Sequence, residues 1–222
     1  MTSKHKWKKY IGLFGILFLF PLLWISFFGV FSKHHFKTLQ YYGPECPQGA
    51  DHSDYTLPSF VFTNQDGAAV SSDDLKGKVY LAAFYDTGNE HISKLTERLL
   101  NVNWKYRDEA DIMIVTFSTN CDLDTPDLLK HYVDQNTRYN SFPGKWQFLT
   151  SNQAAMQSFI RNGFLINDLS EEAIFRLVDG EGHIRGLYGN TEYHIQDAIE
   201  DIALLKKEFD KKKYDEKKAL EH

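Results

Sequence analysis

Two unbroken apolar runs dominate the hydropathy pattern of the chain, and both predict strands at the centre of a sheet. They cover residues 79–85 (VYLAAFY) and 112–117 (IMIVTF). Unbroken apolar runs of this length are typical of strands that are buried on both faces of a parallel sheet. Between them, apolar residues recur at helical spacing over residues 91–106, which predicts a connecting helix. The pattern therefore indicates a βαβ unit.

Turn and capping residues predict shorter elements on both sides of this unit. A hairpin is predicted around a turn at residues 64–67, and one helical turn follows at residues 72–75. Thr125, a hydroxyl residue directly before Pro126, is a typical helix start. We expect this helix to run to about Gln135.

The region after residue 150 predicts another helix and a second hairpin. Thr150, with Gln153 three residues later, has the pattern of a capping box for a helix that stops at Gly163. Residues 174–178 and 183–188 are short apolar runs on either side of a glycine-containing turn. This arrangement predicts a β-hairpin.

The last predicted element is a helix from Glu192 to about Phe209. Its buried stripe is expected to consist of Ile195, Ile199, Ile202 and Leu205. The complete order is hairpin, strand, helix, strand, helix, helix, hairpin, helix. This order describes an α/β fold with a thioredoxin-like mixed sheet flanked by helices.

An uncharged apolar stretch at residues 10–31 lies apart from these elements and predicts an N-terminal transmembrane helix. Its 22 residues would span about 33 Å as a helix, which matches the hydrocarbon core of a bilayer. A cleaved signal peptide would have a shorter apolar core that ends in small residues, and the stretch has neither feature. Lysines are more frequent before the stretch than after it, so we expect the N-terminus in the cytoplasm. The predicted location is the bacterial inner membrane, crossed once, with the folded domain in the periplasm.

These predictions divide the chain into five segments in different environments. They are a cytoplasmic basic segment (1–9), the transmembrane helix (10–31), a tether (32–56), the folded domain (57–209) and a charged tail (210–222).

Charge is unevenly distributed along the chain. Residues 38–205 hold 12 basic and 25 acidic side chains, which gives them a net charge of about −13. A negative domain repels the phosphate backbone, so this charge excludes nucleic-acid binding.

Five stretches of the sequence, in order along the chain, carry a family resemblance. They are residues 57–67 (LPSFVFTNQDG), 75–80 (LKGKVY), 124–126 (DTP), 144–150 (GKWQFLT) and 177–186 (LVDGEGHIRG). Over about residues 57–205 the chain resembles the Sco/SenC proteins, membrane-anchored thioredoxin-like factors for cytochrome oxidase assembly. The resemblance implies the same fold, a part in assembling the copper centre of a respiratory oxidase, and protein partners from that assembly.

Members of that family bind copper through a Cys-x-x-x-Cys pair after the first core strand and a distal histidine. The resemblance places the two cysteine positions at Gly88 and Ile92, and the histidine position near Glu171. Copper(I) prefers soft thiolate and imidazole ligands, and thioredoxin-type exchange requires a dithiol. We therefore expect no copper or other cofactor, no metal ligands at these positions and no catalytic residues. The leading hypothesis is an accessory factor that acts by protein contact and is not an enzyme.

The loops that follow the two central strands offer an alternative metal site. Parallel strands bring these loops, residues 86–91 and 118–124, to the same edge of the sheet. The candidate ligands in these loops are of types that suit a harder or borderline cation. They are Asp86, Glu90, His91, Cys121, Asp122 and Asp124, with Glu171 and Glu172 as further candidates. A carrier of another metal is thus an alternative function, and a solvated acidic loop cluster is the competing interpretation.

The two cysteines of the chain, Cys46 and Cys121, define a second alternative. Outside the cytoplasm they either form a disulfide that pins the tether to the sheet edge or are unrelated thiols. A thiol oxidoreductase or peroxidase would use Cys121 with Cys46. Neither cysteine has an evident cationic neighbour in the sequence to lower its pKa, which argues against this enzyme class.

Two further groups of side chains have both a functional and a structural interpretation. His34, His35 and His52 in the tether are either transient metal ligands or ordinary residues near the membrane interface. The aromatic run at residues 142–148 is either a partner-binding patch or, for Trp146, part of the hydrophobic core.

Overall fold

A seven-stranded mixed β-sheet separates two groups of helices in the part of the chain that the structure describes. The computed structural model describes residues 38–44, 52–85, 87–137, 144–168, 175–189 and 191–220. The predicted transmembrane helix at residues 10–31 lies outside them. Among the described residues, no helix combines the length and the apolar composition that a bilayer crossing requires.

Strands and helices follow one another in nearly the predicted order. The strands are β1 (Val61–Asn64), β2 (Ala69–Ser71), β3 (Val79–Tyr85), β4 (Ile112–Ser118), β5 (Trp146–Thr150), β6 (Phe175–Val178) and β7 (Ile184–Tyr188). The helices are a 3₁₀ turn (Ser72–Leu75), α1 (Ile92–Lys105), α2 (Pro126–Asn136), α3 (Gln153–Gly163) and α4 (Glu192–Leu220). The sheet order is β2-β1-β5-β4-β3-β6-β7, with β3, β4 and β5 parallel and the other neighbours antiparallel. The predicted mixed sheet flanked by helices is confirmed.

Alternate residues of β3 fill two hydrophobic cores, which explains why its apolar run is unbroken. Leu81, Ala83 and Tyr85 face the first core, together with the buried stripes of α1, α2 and α4. Ala82 and Phe84 face the second core, which α3 and the 3₁₀ turn cover. Burial of apolar area contributes about 25 cal/mol per Å², so both faces of this strand contribute to the stability of the fold.

Trp146 belongs to the first core. Its ring stacks on Phe148 with 4.9 Å between the centroids, and its indole Nε1 donates a hydrogen bond to Thr116 Oγ1 at 2.6 Å. Burial of the indole is thus combined with a partner for its only donor. The core interpretation of Trp146 is confirmed, whereas residues 142–143 of the aromatic run lie outside the described residues.

The sequence pattern does not predict β5, and it misplaces the cap of α3. Thr150 is the last residue of β5 and pairs with Thr63 of β1, so its backbone is extended and it does not cap the helix. Asn152 is the cap, because its Oδ1 accepts hydrogen bonds from the amides of Ala154 at 3.0 Å and Ala155 at 3.3 Å. An asparagine side chain satisfies the free amides of a helix start as well as a hydroxyl does. The predicted capping role of Thr150 is wrong.

The last helix is longer than the sequence pattern predicts, because α4 runs to Leu220 and does not end near Phe209. Lysine predominates in the additional turns, with five of the eleven residues from 210 to 220, and lysine is a good helix former. Lys206 and Asp210 also pair at 3.3 Å across one turn of the helix. The predicted charged tail at residues 210–222 is therefore helical as far as Leu220.

The 38–44 segment, which the sequence pattern assigns to the tether, packs on the folded domain. Leu39 is buried in the first core. Tyr42 forms an isolated β-bridge with Ile184, and its amide donates to the Ile184 carbonyl at 2.9 Å. This part of the predicted tether is a structural part of the domain.

Replacement of Asn152 by alanine tests the position of the α3 cap. Asn152→Ala removes the acceptor of two helix amides, so we expect the free energy of unfolding to fall by about 1 kcal/mol. Ser151→Ala is the matched control, because it truncates the preceding side chain outside the cap, and its effect should stay below about 0.5 kcal/mol. Urea unfolding of the purified chain measures both values. Equal losses for the two variants would contradict this assignment of the cap.

Candidate functional site

The candidate site lies at the edge of the sheet where β3 and β4 end. The parallel register pairs Tyr85 with Ser118 at the ends of the two strands. The chain after β4 also bonds to the end of β3, because the Thr119 amide donates to the Tyr85 carbonyl at 2.8 Å. The predicted proximity of the loops after β3 and β4 is confirmed.

Asp124 connects these two loops through a fully buried carboxylate. Its Oδ1 accepts hydrogen bonds from the Thr87 amide at 3.1 Å and from the Thr87 hydroxyl. Its Oδ2 accepts a hydrogen bond from Ser118 Oγ at 2.6 Å. A buried carboxylate with three donors is stabilised by them, and the same donors leave it poorly suited to bind a cation from solution. Asp124 therefore has a structural role in this edge.

The two positions that the resemblance assigns to cysteine ligands, Gly88 and Ile92, have different environments. Gly88 is exposed in the turn after β3. Ile92 is the first residue of α1, and only 8% of its surface is exposed because it packs in the first core. Neither residue has a side-chain donor atom for a metal. Glu171, near which the resemblance places the histidine ligand, lies outside the described residues.

The remaining candidates for a metal site are dispersed around this edge. His91 Nε2 lies 3.4 Å from Glu90 Oε1, and both side chains are largely exposed. Asp122 is exposed, whereas Cys121 and Asp124 are buried. Within the described ranges, no group of three or more His, Cys, Asp and Glu side chains has an arrangement that could hold a metal ion. Three further candidates lie outside these ranges, namely Asp86, Glu171 and Glu172.

Cys121 faces the second core and not the solvent. Only 8% of its surface is exposed, and its Sγ lies 3.7 Å from the Ser118 carbonyl. Its amide donates to Gln153 Oε1 at 2.5 Å, and Gln153 Nε2 donates to the Thr119 carbonyl at 2.8 Å. Gln153 thereby attaches the loop after β4 to the start of α3, a role that the capping pattern did not reveal. Cys46 lies outside the described residues, so the disulfide stays a prediction.

A buried tyrosine lies beneath the same edge. The hydroxyl of Tyr85 has no hydrogen-bond partner among the described residues. Burial raises the pKa of Tyr85 well above its ordinary value, and the nearby Asp124 charge raises this pKa further. The neighbouring Tyr132 ring lies at a centroid distance of 6.3 Å, and the Tyr132 hydroxyl is 2.6 Å from Thr96 Oγ1. Tyr85 therefore remains a neutral phenol beneath this edge.

A second polar cluster occupies the opposite edge of the sheet, and the sequence analysis did not identify it. Arg185 of β7 is 5% exposed and contacts Asp179 Oδ2 at 3.1 Å and Glu208 Oε2 at 2.9 Å. Its Nη2 also donates to the Leu39 carbonyl at 2.9 Å. His183 Nδ1 lies 3.1 Å from Asp179 Oδ1. The signal in the sequence was an arginine inside the apolar run of β7, since a buried charge requires partners.

Comparison with known proteins relates this architecture to one family. A family model described as SCO1/SenC matches residues 48–207. The chain belongs to the SCO1/SenC family. The SCO1 protein homolog of Bacillus subtilis (strain 168) is 30% identical over 166 residues, which cover 68% of this chain and 83% of that protein.

Solved structures show the same relationship. A SCO1/SenC family lipoprotein from Bacillus anthracis is 27% identical with a TM-score of 0.59, over 69% of this chain and 96% of that one. BsSco, described as a member of the Sco family of cytochrome c oxidase assembly proteins, is 29% identical with a TM-score of 0.57. That match covers 67% of this chain and 92% of BsSco. The predicted thioredoxin-like α/β fold is confirmed by this likeness.

Removal of the buried carboxylate tests the structural role of Asp124. Asp124→Ala leaves the Thr87 and Ser118 hydroxyls without their acceptor, so we expect the free energy of unfolding to fall by about 3 kcal/mol. Asp122→Ala removes an exposed carboxylate from the same loop and should change it by less than about 0.5 kcal/mol. Chemical unfolding of both variants gives the comparison. A loss below about 1 kcal/mol for Asp124→Ala would show that the carboxylate does not connect the loops.

The burial of Cys121 predicts a slowly reacting thiol. In the Cys46→Ser variant, which leaves Cys121 as the only thiol, we expect labelling by a disulfide reagent to be roughly 100-fold slower in native buffer than in urea. The Cys121→Ser variant, with Cys46 as its only thiol, provides the reference for the reagent. Rapid native labelling of Cys121 would favour the thiol oxidoreductase alternative.

Proposed function

We propose that this SCO1/SenC family member is an accessory factor in the assembly of the copper centre of a respiratory cytochrome oxidase. In this proposal it acts through protein contacts, and neither copper nor thiol exchange is used at the family's ligand positions. The family relationship supports the oxidase pathway, because the related BsSco belongs to a family of cytochrome c oxidase assembly proteins.

The observation that carries the proposal is the chemistry of Gly88 and Ile92. Hydrogen and hydrocarbon side chains provide no lone pair for copper(I), and they provide no thiol for exchange with a partner. Ile92 packs in the first core. An apolar side chain that packs in the core at this position supports a stable fold in which residue 92 is not a metal ligand.

The ordered loops at the same edge support a role in binding another protein. Asp124 connects the loops after β3 and β4 by hydrogen bonds from Thr87 and Ser118, so these protein contacts help to fix the shape of this edge. Residues 38–205 have a net charge of about −13, which attracts basic protein surfaces and repels acidic ones. We therefore propose a protein partner with a basic surface.

The proposed location follows from the N-terminal region of the sequence. Residues 10–31 are apolar for a length that spans a bilayer, and lysines precede them. The related Bacillus anthracis protein is a lipoprotein, which supports a membrane-attached form of this domain. We propose a single-pass anchor in the inner membrane, with the N-terminus in the cytoplasm and the domain in the periplasm.

A copper(I) titration against a competing chelator tests the function. We expect the chain to show no stoichiometric binding, because Gly88 and Ile92 offer copper(I) neither sulfur nor imidazole. The triple variant Gly88→Cys, Ile92→Cys, Glu171→His restores the family's ligand types and should gain tight binding of one copper(I) ion. A control with Gly88→Ser, Ile92→Ser and Glu171→Gln changes the same positions without soft ligands and should not bind.

Tight stoichiometric binding by the unmodified chain would contradict the proposed function. Copper bound by the serine-containing control would show that ligands elsewhere in the chain hold the ion. Far-ultraviolet circular dichroism of all three proteins establishes that they share one fold.

A further inference from the structure

The 38–44 segment is fixed to the domain at the edge opposite the candidate site. The Leu39 amide donates to Glu208 Oε1 at 3.1 Å, and its carbonyl accepts from Arg185. The Tyr41 ring covers the Arg185 guanidinium at 4.1 Å. With the Tyr42 bridge to β7, these contacts hold the segment where the parallel strands begin.

The C-terminal part of α4 leaves the domain at this same edge. Lys206 contacts Glu109 at 3.1 Å, and Lys213 contacts Asp111 at 3.4 Å. Both partners directly precede β4, which fixes the position of the helix relative to the sheet. All residues from 210 to 220 are exposed. We call these residues the α4 extension, and as a helix they span about 16 Å.

The described end of α4 is more basic than the rest of the described domain, since residues 210–220 include five lysines and three acidic residues. Residues 206–220 include seven lysines and four acidic residues, whereas residues 38–205 have a net charge of about −13. Among the described residues, Lys217 and Lys218 have no acidic partner within ion-pair distance. Two large apolar side chains lie in the same turns and are exposed, Tyr214 by 66% and Leu220 by 89%. Lysines beside exposed tyrosine and leucine match the chemistry of a membrane surface.

The length of the chain limits how far this edge lies from the proposed anchor. Residues 32–38 connect the end of the apolar stretch to Leu39. An extended chain covers about 3.5 Å per residue, so Leu39 lies at most about 28 Å from the end of the stretch. Since Leu39 contacts Glu208 of α4, the α4 extension starts next to the point at which the chain from the proposed anchor enters the domain.

We infer that the α4 extension binds the anionic headgroups of the membrane in which the chain is anchored. Lys217 and Lys218 contact lipid phosphates, and Tyr214 and Leu220 lie at the boundary of the headgroups. This contact orients the domain so that the ends of β3 and β4 face away from the bilayer. The inference rests on the proposed anchor, but it does not depend on whether the family site binds copper.

Hydrogen exchange of the full chain in lipid nanodiscs tests this inference. One set of discs contains only phosphatidylcholine, and the other contains about 30% phosphatidylglycerol, a fraction chosen to give a clear negative surface potential. We expect amides of residues 210–220 to exchange about tenfold more slowly in the anionic discs, because lipid contact suppresses local opening of the helix. The difference should decrease in high salt, since screening weakens the attraction.

Charge variants assign the effect to the two lysines. The double variant Lys217→Gln, Lys218→Gln should lose most of the protection in anionic discs, and Lys218→Gln alone should lose part of it. Lys94→Gln is the matched control, because it removes one exposed lysine at the start of α1, near the opposite edge. Protection of residues 210–220 should be unchanged in this control.

Three results would overturn the inference. Fast exchange of the α4 extension in both kinds of disc would remove the lipid contact and leave the proposed anchor and function intact. Equal protection in both kinds of disc would indicate a contact that does not recognise headgroup charge, such as a contact with protein. Failure of the chain to remain with the discs would overturn the anchor itself and this inference with it.

Discussion

The burial of β3 and β4 on both faces is the constraint on which the rest of the structure depends. Each strand contributes alternate side chains to two cores, so helices must cover both sides of the sheet. The parallel register from Val79 and Ile112 to Tyr85 and Ser118 also defines two edges with different uses. The strand ends hold the loops of the candidate site. The strand beginnings receive the end of α4, because Glu109 and Asp111 before β4 pair with its lysines. The 38–44 segment lies at the same edge, where Leu39 bonds to Arg185 and Glu208.

Features that depend on local chemistry could be predicted from the sequence. Both central strands follow from unbroken apolar runs, and the start of α2 follows from Thr125, whose side chain accepts from the Leu128 amide. The strand β5 was not predicted, because it is only five residues long. Its extended conformation depends on pairing with β4 and with β1, which is distant in the sequence. The misplaced cap of α3 has a similar cause. Thr150 and Asn152 are both good caps by residue type, and only the pairing of Thr150 in the sheet excludes it.

The candidate site was harder to predict, because its main contacts join residues that are far apart in the sequence. Asp124 belongs to an acidic loop and was a candidate metal ligand, but its carboxylate is buried by contacts with Thr87, 37 residues away. Arg185 binds the carbonyl of Leu39 across 146 residues. No periodicity or spacing rule describes such pairs. By contrast, the residue types at Gly88 and Ile92, the positions that the resemblance assigns to cysteine ligands, follow from the sequence alone. The fold shows why an apolar side chain suits the start of α1, because Ile92 packs in the first core.

The separation of the two edges gives a physical basis for the proposed function, in which the domain acts through protein contacts. The seven residues of β3 place the edges about 23 Å apart. A domain that is fixed by one edge near its anchor presents the other edge in a limited range of directions, which reduces the orientational freedom lost when a partner binds. The strongly negative charge of residues 38–205 then acts on partners from a defined position, and long-range attraction raises their rate of encounter. The attachment of the 38–44 segment at Arg185 and the hydrogen bonds of Asp124 at the other edge are thus two parts of one arrangement, in which the proposed function depends on position and charge.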